Sequence, residues 1–248
     1  MSAPALRVAH LYPRLMNIYG DRGNIMCLRH RCEARGIGFE LTEPSAGDRL
    51  DPRAYDLIFA GGAQDREQRG VADDLLATKA EAVREAVEEG VVLLAVCGAY
   101  QLFGHFYRDS TGAELPGAGV FDLHTEHPGE AAKRLIGNIV AEWETPDGRT
   151  QTIVGFENHG GRTRLGPAAR PFARVRRGFG NNGEDGFEGA VYKNAFGTYI
   201  HGSLLPKNPA LADHLLRTAL SRRHDGIELA PIDDRAELRA HEAALRLR

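Results

Sequence analysis

The chain has 248 residues, 42% of them hydrophobic and 26% charged, with 31 Lys and Arg against 34 Asp and Glu and a net charge of −3. That composition excludes wholesale disorder, and so balanced a charge is unlike the strongly basic footprint of a dedicated nucleic-acid binder. No apolar run approaches the ~18 residues of a membrane span, residues 1–7 meet polar side chains too early for a secretory signal, and three cysteines cannot all pair with one another, so the chain reads as soluble and cytosolic.

Strand and helix signals alternate through the first half. Residues 6–12 read as a strand, and Asn24 as the cap of a helix with the stripe Ile25, Leu28 and Cys32, closed by Gly36. Residues 56–60 form a short buried strand running into Gly61-Gly62. A helix is expected from about Asp74, with Leu76, Ala80, Val83 and Val87 on one face and Gly90 as its stop. Residues 91–96 are apolar throughout, as in the middle of a parallel sheet, and residues 98–107 read as a helix carrying Leu102, Phe103 and Phe106. The pattern predicts an α/β fold, a mostly parallel sheet flanked by helices, with its site at the C-terminal strand ends. The second half is β-rich, with short strands at 151–157, 172–176, 190–193 and 196–200 between Gly- and Asn-rich turns. From Asn208 onward the pattern is helical. We expect one domain over 1–208 and a helical extension over 209–248, packed on that domain or on a partner.

Cys97 falls between the strand ending at Val96 and a helix opening at Gly98. A turn of this kind lifts the side chain off the sheet, the helix N-terminus favours a thiolate, and the Gly98 N–H makes half an oxyanion hole. The same position suits a small buried hydrophobe equally well. Cys27 and Cys32 read as packing residues of the first helix. Of ten histidines, His201 has the best context for a base, at the end of a strand and before a loop.

Gly61-Gly62, Cys97-Gly98-Ala99-Tyr100-Gln101 and Tyr199-Ile200-His201-Gly202 together resemble a class I glutamine amidotransferase of the cobyric-acid-synthase (CobB/CobQ) kind. More narrowly, residues 15–24, 62–68, 155–163 and 201–208 resemble the GatD family, the amidotransferase subunits of lipid II isoglutaminyl synthases. The resemblance implies that Cys97 attacks the side-chain amide of L-glutamine, with His201 as base and then acid. It further implies oxyanion donors at Gly62 and Gly98, Arg134 on the substrate α-carboxylate, and Gln101 helping to seat the substrate. Many class I members carry a glutamate two residues after the histidine; here Ser203 stands there. Either Cys97 and His201 act as a dyad or another acid completes the site, from this chain or from a partner. Asp21, Asn158 and His159 lie in matching blocks without an assignable role, and His159 is the rival base.

No P-loop motif is present, so this chain is expected to supply ammonia without a cofactor of its own. The resemblance implies a heterodimer with a Mur-ligase-like partner, MurT, which uses ATP and Mg to amidate the D-glutamate α-carboxyl of the lipid II stem peptide at the cytoplasmic face of the membrane. Competing readings are a corrinoid acceptor, a DJ-1-like cysteine protein and a non-catalytic subunit of amidotransferase fold. Three other signals weigh less. Residues 178–183 fit G-x-G-x-x-G but read as a hairpin turn rather than a dinucleotide site; His124, Glu126 and His127 lack a fourth metal ligand; and the arginines at 162, 164, 170, 174, 176 and 177 read as a solvated face before an acidic docking surface.

Overall fold

In the computed structural model, which describes residues 4–129 and 131–247, the first half of the chain runs β1 (Ala5–Leu11), α1 (Arg22–Glu33), β2 (Gly38–Thr42), β3 (Leu57–Ala60), α2 (Asp65–Thr78), α3 (Ala80–Glu88), β4 (Val92–Val96) and α4 (Gly98–Leu102). It continues through β5 (Phe106–Arg108), β6 (Glu114–Pro116), β7 (Leu123–Glu126), β8 (Leu135–Glu144), β9 (Thr150–His159), β10 (Arg162–Leu165), β11 (Ala173–Arg177), β12 (Phe187–Glu188), β13 (Ala190–Tyr192) and β14 (Ala195–Thr198) to α5 (Pro209–Ser221) and α6 (Arg235–Arg246). The central sheet has the order β13-β14-β4-β3-β1-β2, parallel except for the edge strand β13. β3, β4 and β14 are buried at every position, and in β3 and β4 this goes with uninterrupted apolar runs. Two four-stranded sheets, β10-β7-β5-β6 and β12-β11-β8-β9, make up most of the second half.

Three expectations about elements change, each for a tertiary reason. The helix expected from Asp74 is two helices: α2 already begins at Asp65, and the chain breaks at Lys79, where φ is −133°. Lys79 is buried there with its Nζ donating to Asp74 Oδ2 at 2.8 Å and lying 4.7 Å from the Tyr12 ring, an anchoring that no periodicity reveals. The helix expected over 98–107 stops at Leu102. Phe106 and Tyr107 join β5, where Tyr107 stands opposite Leu115 and Thr125, because their apolar spacing fits a strand as well as a helix. Asn24 lies inside α1 rather than capping it, and its Oδ1 accepts from Leu205 N at 2.9 Å.

The C-terminal stretch divides into α5 and α6 with non-helical chain between them. α5 buries Leu211, Leu215, Leu216 and Leu220 and contacts α1, β1 and β4. α6 has no buried residue among those described and is held by polar contacts. His241 Nδ1 donates to Lys207 O at 2.7 Å, and its Nε2 meets Thr152 Oγ1 at 2.7 Å. At the start of α6, Arg31, only 1% exposed, bonds Asp213 at 2.7 Å and Asp234 at 2.6 Å, tying α1 to α5 and to the approach of α6. None of the described helices is long and apolar enough to cross a membrane.

Candidate active site

The loops that leave β1, β3, β4 and β14 carry, in turn, Asp21, Gly61-Gly62, Cys97 and His201. These are the C-terminal ends of parallel strands, and winding reverses between β1 and β3, the place where an open α/β sheet leaves a crevice.

Cys97 caps α4 with φ 53° and ψ −106°, a conformation that costs a non-glycine residue ~1–3 kcal/mol and persists only where its surroundings impose it. Its N–H donates to Thr198 O at 2.7 Å and its carbonyl accepts from Gln101 N at 3.0 Å. α4 is pressed so closely onto the β3–α2 loop that a Cβ on Gly98 would lie 2.8 Å from Ala63 N. Glycine is therefore required there, and the backbone of Gly98 packs directly against that of Ala63.

His201 is fully buried, pinned to β9 by backbone bonds with Phe156 in both directions, at 2.7 and 3.2 Å. Its Nδ1 lies 3.1 Å from Asp21 Oδ1. A carboxylate only accepts, so Nδ1 carries a proton and Nε2 is left to the sulfur. Burial, the largest single influence, depresses the imidazole; the Cys97 thiolate and then Asp21 outweigh it and raise the pKa to about 10. The arrangement is a histidine held between the Cys97 sulfur and a buried aspartate.

Asp21 is the acid whose absence two residues after His201 left the site incomplete on paper. Its other oxygen, Oδ2, accepts from Gly62 N at 2.7 Å. This corrects one expectation: the Gly62 N–H is committed to Asp21 and is not free for an oxyanion. Its neighbour Ala63 has an N–H without an acceptor among the described residues, beside Gly98. Gly62 still has to be glycine, because a Cβ would sit 2.7 Å from His201 Cε1. Ser203 has a different task, donating to Gly20 O at 2.7 Å and so tethering the loop that carries Asp21.

A cleft of about 430 Å³ opens over Cys97, a volume suited to a small polar ligand. Arg134 lines it, with Nε donating to Asn158 Oδ1 at 2.8 Å and Nη2 to Asn158 O at 3.0 Å, and it forms no ion pair among the described residues. Asn158 Nδ2 in turn donates to Tyr19 OH at 2.7 Å, and the Tyr19 ring stands edge-on to His201 at 5.0 Å. Asn158 thus links the arginine to the cover over the histidine. Gln101 also lines the cleft, but its amide is engaged at both ends: Oε1 accepts from Gln68 Nε2 at 2.8 Å and Nε2 donates to Tyr199 OH at 3.1 Å. It shapes the wall. His159, the rival base, stacks on Tyr199 at 3.6 Å and bonds Gly161 O at 2.9 Å, while burial lowers its pKa.

The remaining signals resolve into structure. His124 stacks on Phe106, Glu126 pairs with Arg108, and His127 Nδ1 accepts from Gly129 N, so the three do not converge on a point; no group of three metal-binding side chains exists among the described residues. In the 178–183 turn, the Phe179 and Gly180 amides that a phosphate would need donate instead to Glu157 at 2.6 and 2.9 Å. The arginine stretch is largely spent internally: Arg164 pairs with Glu184, Arg176 with Glu142, and Arg177 donates to the carbonyls of Ala244 and Leu245 at the end of α6. Burial raises Cys27 and Cys32 to about 12, as for packing thiols.

A CobB/CobQ-like glutamine amidotransferase domain matches residues 7–209. The chain belongs to that family. Among CobB/CobQ-like amidotransferases it is similar to the GatD subunit of lipid II isoglutaminyl synthase (glutamine-hydrolyzing) from Streptococcus pneumoniae (strain ATCC BAA-255 / R6), 41% identical over 230 residues that cover 92% of this chain and 86% of that one. The corresponding subunit of Staphylococcus aureus (strain N315) is 39% identical over 240 residues, 97% of this chain and 95% of its own. The solved structure of PurLQS from Thermotoga maritima shares the fold at a TM-score of 0.54 and 18% identity, with coverage of 88% of this chain and 96% of that one. The α/β amidotransferase architecture expected from the sequence is what these matches and the strand order describe. Sequence reading singled out Asp21 and Asn158 without giving them a role, and it missed Ala63. The signal for Asp21 was an acid between glycines, in a chain whose histidine lacked one nearby.

Proposed function

We propose that this amidotransferase is the glutaminase subunit of a lipid II isoglutaminyl synthase, releasing ammonia from L-glutamine for a MurT-type ligase subunit. The carrying observation is the buried line Asp21–His201–Cys97 at the foot of a cleft walled by Arg134. Cys97 Sγ⁻ attacks the side-chain amide carbon, and the carbonyl electron pair moves onto oxygen beside the Ala63 and Gly98 N–H groups. His201 Nε2–H protonates the amide nitrogen as the C–N bond breaks, leaving ammonia and a glutamyl thioester. Water then attacks the thioester carbon, its proton passes to His201, and the C–S bond breaks to give glutamate and restore the thiolate–imidazolium pair. Asp21 keeps the imidazole oriented throughout and Arg134 holds the substrate α-carboxylate with its guanidinium fork.

Joining ammonia to a carboxylate needs activation that this sequence of steps does not provide. ATP and Mg therefore belong on the partner, and this subunit works at the cytoplasmic membrane face through that partner. The names and coverage of the two bacterial relatives support the acceptor as the D-glutamate of lipid II. The test is ammonia release from L-glutamine by the chain alone and with MurT co-expressed, wild type beside Cys97→Ala. Cysteine-dependent release that rises with MurT is expected. Release that persists in Cys97→Ala refutes the nucleophile, and a MurT complex that amidates no lipid II refutes the acceptor.

A further inference from the structure

Asp65, on the first turn of α2, is the one acidic side chain among the described residues that line the cleft over Cys97, and Arg134 lines the same cleft. Neither has an ion-pair partner among the described residues. Asp65 Oδ1 accepts from Tyr107 OH at 2.9 Å, which fixes the carboxylate while Oδ2 makes no described bond. Gly160 lies beside Arg134, and Gly161 lies beside the tyrosine that holds Asp65. A Cβ on Gly160 would lie 3.4 Å from Arg134 Nη1, and one on Gly161 would lie 3.5 Å from Tyr107 Cε2, whose hydroxyl holds Asp65. His127 feels both groups: beneath the larger lowering by burial, Asp65 raises its pKa and Arg134 lowers it. Opposite charges without ion-pair partners among the described residues therefore line one cleft together with the nucleophile. The other charged lining residue, Arg66, is exposed.

We propose that Asp65 receives the α-ammonium of the substrate while Arg134 takes its α-carboxylate, so that the site selects a free zwitterionic α-amino acid over a peptide-bound glutamine or a simple ω-amide. This rests on the glutaminase reading and adds its specificity. An acid at a helix start also complements the helix dipole, but that role is blind to the substrate, which gives the means of separating the two.

The full chain, with its ligase partner co-expressed, is assayed for ammonia release from L-glutamine and from glutaramate, which is glutamine without its α-amino group. Wild type is expected to favour glutamine by about 10- to 100-fold in kcat/KM, the scale of a hydrogen bond to a charged group. Asp65→Asn retains an oxygen for Tyr107 OH and is expected to raise KM for glutamine by about the same factor, with glutaramate changed less than about twofold. Equal losses on both substrates, or no wild-type preference between them, overturn the proposal. Calorimetric titration of Cys97→Ala separates this from a failure of the glutaminase reading. Glutamine bound at least about tenfold tighter than glutaramate, with the gap closed in the Cys97→Ala/Asp65→Asn pair, upholds the clamp even if wild type proves inactive; equal binding refutes it.

Discussion

Asp21→Asn tests the site most sharply, because the structure dictates which way the new amide must face. Asp21 Oδ2 accepts from Gly62 N at 2.7 Å while Oδ1 faces His201 Nδ1 at 3.1 Å, all of it buried. In the variant, the amide oxygen has to meet the Gly62 N–H, since NH₂ against N–H leaves two buried donors opposed. The NH₂ then points at His201 Nδ1, which must give up its proton to accept. The imidazole is forced into the Nε2–H tautomer and can no longer hold the proton of Cys97. Losing a hydrogen bond to a charged group removes about 1.5–3 kcal/mol, roughly a 10- to 150-fold effect. The wrong tautomer extends the loss toward ~10⁴-fold in kcat, the scale found for the same change in a serine-protease triad. Asp21→Ala frees the tautomer, so it is expected to retain more activity than Asp21→Asn despite removing more of the side chain. The measurement is kcat for ammonia release across pH 6–10 (on the order of the window in which histidine and cysteine titrate), with glutamine binding to each variant as a check that the cleft is intact. Asp21→Asn within about threefold of wild type, or more active than Asp21→Ala, would refute the assignment of Asp21 as the group that orients His201.

Three further outcomes are expected from the structure. Arg134→Ala is expected to lower kcat/KM for glutamine by roughly 10- to 150-fold through the lost carboxylate fork, and an unchanged steady-state profile removes Arg134 from the substrate. Arg31→Ala leaves the half-exposed Asp213 and Asp234 without the buried cation between them and should cost about 1.5–3 kcal/mol in urea unfolding, the scale of hydrogen bonds to charged groups; a loss under ~1 kcal/mol means the Arg31 cluster does not hold α1 to the C-terminal helices. Glu188 is fully buried, and desolvation lifts its carboxyl to about 8 against the hydrogen bonds from Tyr199 N and Thr198 that lower it. The folded chain then holds a proton that the unfolded chain has released above ~4.3, so stability is fully present below that pH and is lost as pH rises toward 8. Glu188→Gln should flatten this fall, which is on the order of a few kcal/mol between those limits, and an unchanged pH slope in chemical denaturation would count against it.

The parallel core was legible because β3 and β4 lie between helical layers, so their apolar runs have no alternation to hide them. Local chemistry likewise announced the cysteine turn: small residues follow a buried strand, and Gly98 opens the helix whose first turn cannot accept a side chain there. Arg134 was reached through family resemblance alone, since as an arginine before a strand it has nothing local to mark it. Where the pattern misled, a tertiary partner had overridden it. Lys79 breaks a helix to reach Asp74 and Tyr12, and Phe106 and Tyr107 leave one to join a sheet. Sequence by itself determined that this chain is α/β, that its nucleophile candidate stands at a strand–helix elbow and that His201 ends a strand at the same edge. Only the tertiary structure decided that Asp21, from the far end of the chain, lies behind His201, that it takes the Gly62 N–H from the oxyanion, and that Ala63 stands beside Gly98 instead. The reason is physical: strand and helix signals are carried by neighbours a few residues apart, whereas hydrogen bonds at a sheet edge join loops that only the winding of the strands brings together.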